Sequence, residues 1–118
     1  MSARPPSLAG LSDDAQDLLA VLACGDTRTQ RDIAYGLWGP GHNGVRRVQA
    51  ATQELRLARW PVVTGDFGTR LGTDAAEVAA CARALRRRAI EQILTARALR
   101  EAAEAMAQPQ TLWQEVSA

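Results

Sequence analysis

The sequence predicts a mainly α protein with one short β-hairpin and a long C-terminal helix. Apolar residues recur at helical spacing in three stretches before residue 60. Two short runs between Pro61 and Leu71, rich in Val, Thr and Phe, are separated by a Gly-Asp turn. From Val78 onward, apolar residues recur every seven positions. With 118 residues, 47% of them apolar, the chain has material for one core and one domain, with short segments at its ends.

Residues 1–10, MSARPPSLAG, carry two prolines and no apolar core. They read as a disordered arm and not as a secretory leader. Ser12 is a good N-cap, with Asp13 and Asp14 in the positive first turn of a helix. Ala15, Leu18, Leu19, Val21 and Leu22 form its apolar face, and Gly25 ends it. Thr27 and Gln30 have capping-box spacing, so a second helix is expected there, with Ile33, Ala34 and Leu37 inward. Trp38-Gly-Pro-Gly-His-Asn43 is a turn, and Asn43 is the expected cap of a third helix from Gly44 to Arg59. Trp60 and Pro61 break that helix. Strands are expected at 61–64 and 67–71, with Gly65-Asp66 as the turn. Thr73 or Asp74 caps the last helix, with Glu77 at capping-box spacing from Asp74, and Pro109 stops it. The expected organisation is an arm at 1–10, a domain at 11–73, a long helix at 74–108 and a tail at 109–118.

Composition excludes several function classes. The chain has one His, His42, which reads as an exposed loop residue, and two Cys. One His and two distant Cys make no tetrahedral zinc set, and no cofactor motif is present. Cys24 and Cys81, each within an alanine-rich helical pattern, read as buried reduced thiols of a cytoplasmic protein. No catalytic triad or phosphate-binding glycine loop can be assembled, so no enzyme is expected. No apolar run approaches a membrane span. All 14 basic residues are Arg and Ala occurs 23 times, a pairing that reflects G+C-rich codons.

Net charge is only +1, but it is segregated. Residues 28–70 hold seven Arg against Asp32, Glu54 and Asp66, whereas the first 27 residues net −3. In the third helix, Val45, Val48, Ala51, Thr52 and Leu55 fall on one side. The other side presents Arg46, Ala50 and Gln53, flanked by Arg47, Gln49 and Glu54. Arg suits guanine O6 and N7, Gln suits adenine N6 and N7, and a small Ala permits close approach in a major groove.

Four segments carry a resemblance: Thr29-Gln-Arg-Asp-Ile33-Ala34 with Leu37, Val45-Arg46-Arg47-Val48 with Leu55-Arg56, Trp60-Pro61-Val62-Val63-Thr64, and Gly68-Thr69-Arg70-Leu71. In this order the chain, over roughly residues 13–73, resembles small winged helix-turn-helix proteins of bacteria and their phages. The turn before helix three is longer and richer in Gly and Pro than in that family. The resemblance implies double-stranded DNA as partner. Arg46, Gln49, Ala50 and Gln53 are the expected base-reading residues, and Arg28, Arg31, Arg47, Thr69 and Arg70 the expected phosphate contacts. Arg4 in the arm is a weaker minor-groove candidate.

In the last helix, Val78, Leu85, Gln92, Leu99 and Met106 recur every seven residues, with Ala82, Ala89, Ala96 and Ala103 four residues after the first four. Ile90, Leu94, Ala98 and Ala105 lie nearly opposite this a/e-type stripe. Two apolar faces on one helix need two partners. A homodimer is expected, with Ile90, Leu94, Ala98 and Leu99 at its interface. Arg83, Arg86, Arg87 and Arg88 read equally as phosphate contacts or as partners of Glu101, Glu104 or the acidic first helix. The expected function is sequence-specific binding of double-stranded DNA by a dimeric transcription regulator, with half-sites about 10 bp or a multiple apart. The alternatives are an adaptor that binds a partner protein, and a phage replication- or packaging-site binder.

Overall fold

The structure, a computed structural model, describes residues 5–25, 27–41 and 43–108. They form a mainly α fold in the order α1 (Asp13–Ala23), α2 (Gln30–Trp38), α3 (Gly44–Leu57), β1 (Val62–Gly65), β2 (Gly68–Leu71) and α4 (Ala75–Met106). The chain divides into two compact units, residues 1–81 and 82–118. Arg4, His42 and the 109–118 tail with its Pro109 stop, about which the sequence raised expectations, lie outside the described residues.

In the first unit, α1, α2 and α3 enclose one core. Leu18, Leu22, Ile33, Val48 and Leu55 are its most completely buried apolar side chains, joined by Val63 of the hairpin. Ser12 caps α1: its Oγ accepts from the Ala15 N–H at 3.2 Å. Glu54 of α3 then takes the Ser12 N–H at 2.6 Å and the Ser12 Oγ–H at 2.7 Å. This carboxylate fixes the start of α1 against α3. Gly25, at φ 85°, closes α1 by donating to the Leu22 carbonyl.

Helix α2 begins later than the capping-box spacing predicts. Arg28 forms an extended bridge with Thr69, exchanging N–H and C=O contacts of 3.4 and 2.8 Å. The chain is therefore extended at Arg28, and Thr29, not Thr27, is the cap, with Oγ1 accepting from the Asp32 N–H at 3.1 Å. Gly44 begins α3 so close to α2 that a Cβ there would lie 2.9 Å from the Ala34 Cβ. Asn43 stands at the N-cap in the left-handed region but makes no side-chain capping bond, contrary to expectation.

Helix α3 ends two residues before the expected Arg59. Arg59 N–H donates to the Arg56 carbonyl and Trp60 N–H to that of Leu55, a Schellman arrangement with Arg59 at φ 77° where glycine is usual. Within the segment expected as an arm, Ser7 donates its N–H to the Ala58 carbonyl and accepts from Trp60 Nε1 at 2.9 Å.

The hairpin pairs Val62 with Leu71 and Gly65 with Gly68. Its turn is Asp66-Phe67, one residue beyond the expected Gly65-Asp66. The Gly65–Gly68 pair closes this two-residue turn, and Gly68 leaves it at φ 108°, where a Cβ would meet the Arg28 carbonyl oxygen at 2.5 Å. Asp74 starts α4, its Oδ1 accepting from the Ala76 N–H at 2.9 Å. Glu77, at capping-box spacing, turns instead to Arg70 at 2.6 Å. The half-buried Arg56 ties α3 to β1 and α4. It donates to the Val62 carbonyl at 2.9 Å, to Thr64 Oγ1 at 3.2 Å and to Cys81 Sγ at 3.7 Å.

The second unit begins within α4, which runs unbroken for 32 residues. Leu85, Ile90, Ile93, Leu94, Leu99 and Met106 are all exposed. No described residue of α4 is buried. No helix among the described residues is long and apolar enough to cross a membrane.

Candidate nucleic-acid interface

Helix α3 sorts its residues by face. Val48, Ala51, Thr52 and Leu55 are between 0% and 4% exposed and hold the helix in the core. Thr52 contributes its hydroxyl to the Val48 carbonyl at 2.8 Å, which satisfies the buried polar group inside its own helix. Val45, expected inward, is exposed, because it lies in the first turn beside an open cleft.

Arg46, Gln49, Ala50 and Gln53 are all exposed on the opposite side. Gln49 Nε2 donates to Gln30 Oε1 at 3.2 Å, which links α3 to the start of α2. The cleft, of about 280 Å³, is lined by Arg31 and Tyr35 of α2, by Gly39, Pro40, Gly41 and Asn43, and by Arg46. The first turn of α3 has neither an acidic residue nor a side-chain cap. Two arginines and the uncapped positive end of a helix thus share one opening, a local field that favours anions.

The expected phosphate contacts divide. Arg31 is exposed at the cleft. Arg28 is exposed, with its backbone committed to Thr69. Arg47 grips Asp14 through Nε at 3.0 Å and Nη2 at 2.7 Å, and its guanidinium lies 3.9 Å from the Trp38 ring centroid. This bidentate hydrogen bonding holds the Asp14 carboxyl below its ordinary range and raises the Arg47 guanidinium above its own. Arg70 pairs with Glu77 and lies 4.6 Å from the Phe67 ring centroid.

Thr69 corrects an expectation. It is 1% exposed, because its strand position faces the core, so its hydroxyl does not reach the surface. Its Oγ1 is buried without a hydrogen-bond partner among the described residues, as is Glu77 Oε1. Cys24 is also exposed, not buried, since it lies at the C-cap of α1 beyond the apolar face; Cys81 is half-buried. Ile90, Leu94, Ala98 and Leu99, the expected dimer contacts, are all exposed.

Two surface aromatics were not anticipated from sequence. Tyr35, 64% exposed, lies one helical turn after Arg31, a spacing that places both on one face of α2. Phe67 stands exposed at the hairpin tip, where the one-residue shift of the turn places it. The partnership of Glu54 with Ser12, 42 residues away, has no local sequence signal.

Comparison with protein-family models, with curated proteins and with solved structures finds no match to this chain. The arrangement itself, three helices followed by an antiparallel hairpin and a long helix, is consistent with a winged-helix-like protein.

Proposed function

We propose that this protein binds double-stranded DNA sequence-specifically and acts as a dimeric regulator of transcription of bacterial or phage type. The observation that carries the reading is the two-faced α3: a buried apolar side fixes the helix, and Arg46, Gln49, Ala50 and Gln53 stand exposed on the other. Those side chains match the donor and acceptor pattern of a major groove, with room for close approach at Ala50. Arg31 and the uncapped start of α3 supply an anion-favouring flank for a phosphate backbone. The exposed apolar residues of α4 supply a surface for a second copy.

The test is selection of binding sites from random duplex DNA by the full chain at physiological salt. An enriched inverted repeat is the expected result. A single unrepeated motif retains DNA recognition and removes the dimeric form. No enrichment, from folded and monodisperse protein, overturns DNA recognition in favour of a protein-binding adaptor.

A further inference from the structure

Residues 82–106 of α4 carry an apolar face with a reversible pattern. Counted from Ala82, alanine takes every a position of a heptad (82, 89, 96 and 103), and Leu85, Gln92, Leu99 and Met106 take the d positions. Leu85, Leu99 and Met106 are 37%, 66% and 54% exposed, so this row has no partner among the described residues. The opposite face is a poorer seam, because Arg87, Glu91 and Glu101 interrupt Ile90, Leu94 and Ala98.

We propose that residues 82–106 pair antiparallel with the same segment of a second copy, in the register that sets Leu85 against the partner's Ala103. The proposal rests on the pairing half of the function given above and not on DNA recognition. In this register each copy sets Leu99 against the partner's Ala89, Met106 against the partner's Ala82 and Gln92 against the partner's Ala96. Every layer then joins one long and one small side chain, so the spacing is even along the seam and the backbones approach closely. A parallel pair instead alternates Ala–Ala layers with Leu–Leu layers and stacks Gln92 on its own copy.

Charge selects the same direction. Arg83, Arg86, Arg87 and Arg88 give residues 83–88 a net charge of +4. Parallel pairing sets that segment beside itself. Antiparallel pairing sets it beside residues 100–105 of the partner, where Arg100, Glu101 and Glu104 net −1. Glu101 and Glu104 lie off the seam and Arg86 has the partner's Arg100 as a neighbour, so the preference comes from summed segment charge and not from direct ion pairs. Ile93, 59% exposed and outside the a and d rows, occupies an e position, which meets its own copy near the two-fold axis only in the antiparallel arrangement.

The experiment combines light scattering on the full chain with spin-label distances, both without DNA. Cys24→Ala and Cys81→Ser remove the native thiols, and single labels are attached after Arg87→Cys, Leu94→Cys or Glu101→Cys. These positions are exposed and on the far side of the seam, and circular dichroism verifies the helix in each variant. The expected results are twice the chain mass and the shortest label separation at position 94. Labels at 87 and 101 should give equal, longer separations, each with an axial offset of about 21 Å. Equal separations at all three positions would establish a parallel pair and overturn the proposal. Unequal separations at 87 and 101 would overturn the register. Monomer mass would overturn the pairing itself, leaving the face to the chain's own 109–118 segment or to a different protein. Monomer mass would remove the dimeric form from both proposals, whereas a wrong direction or register overturns this one alone, and DNA recognition is read by neither light scattering nor label distances.

Discussion

Arg47 and Asp14 are joined by two hydrogen bonds, while Trp38 stacks against the same guanidinium. One side chain in the first turn of α3 therefore fastens it to α1 and α2. By helical position alone, Arg47 belongs to the exposed polar side and invites a phosphate. In the fold its donors are already directed at a carboxylate, with the planar fork matched to it.

Arg47→Ala is expected to lower stability modestly, by an amount that shrinks as salt is raised, since both partners are partly exposed. Arg47→Lys should recover only part of the loss, because an ammonium cannot reproduce the fork and the stack. The salt slope of DNA binding should be unchanged in Arg47→Ala, whereas Arg31→Ala should reduce it by about one. Urea titrations at low and high salt, with DNA titrations across salt, check both. Equal loss of slope in the two variants would return Arg47 to the phosphate contacts.

Arg46→Ala should leave stability near that of the parent, since the side chain is exposed and makes no ion pair with a described residue. DNA affinity should fall by about 1–3 kcal/mol, with relaxed preference at one base position. Site selection repeated with the variant is the check, and an unchanged preference would remove Arg46 from base reading.

Acid should weaken the first unit through Glu54 and Asp14. Hydrogen bonds from Ser12 hold the Glu54 carboxyl below its ordinary range, and Arg47 does the same for Asp14. Each folded pKa is depressed, so the unfolded chain binds more protons as pH falls. Their contribution is complete above the ordinary carboxylate range and is lost as pH drops through the depressed values. Denaturation midpoints from about pH 6 to about pH 3 should fall, and Glu54→Gln should flatten part of that decline. A flat profile in the parent protein would contradict the Ser12–Glu54 and Arg47–Asp14 contacts.

Two backbone positions should respond with opposite signs. Gly68→Ala forces a Cβ onto the Arg28 carbonyl at a positive φ and should cost on the order of 2 kcal/mol. Arg59→Gly relieves a left-handed non-glycine residue at the end of α3 and should gain about 1 kcal/mol. Urea midpoints of the two variants decide; a stabilising Gly68→Ala would mean that the β2–Arg28 bridge is not formed in solution.

Local chemistry made much of this readable beforehand. Ser12 before Asp13-Asp14, the spacing of Leu18 and Leu22, and Gly25 define α1 within a few residues of each other. What escaped was set by distant partners. Thr27 and Gln30 satisfy the capping-box pattern, but Arg28 is drawn into an extended bridge with Thr69, and that contact moves the cap to Thr29. The resemblance puts Thr69 on or beside the wing, within reach of phosphate, while strand register turns it inward. The candidate base-reading set was accessible because it depends on one helical period. The fate of Arg47 was not, because it depends on Asp14, 33 residues earlier.

Arg70 lies between two structures that its sequence neighbours do not connect. Its guanidinium rests on Phe67 at the hairpin tip and binds Glu77 in the opening turn of α4. The other oxygen of Glu77 is buried and lacks a hydrogen-bond partner among the described residues, so this carboxylate depends heavily on that one cation. An anion that drew Arg70 away would strand the carboxylate and raise the free energy of the helix start. The cost is reciprocal: whatever steadies the first turn of α4 also holds Arg70 back from that anion. The hairpin tip and the root of the long helix are thereby two ends of a single thermodynamic see-saw.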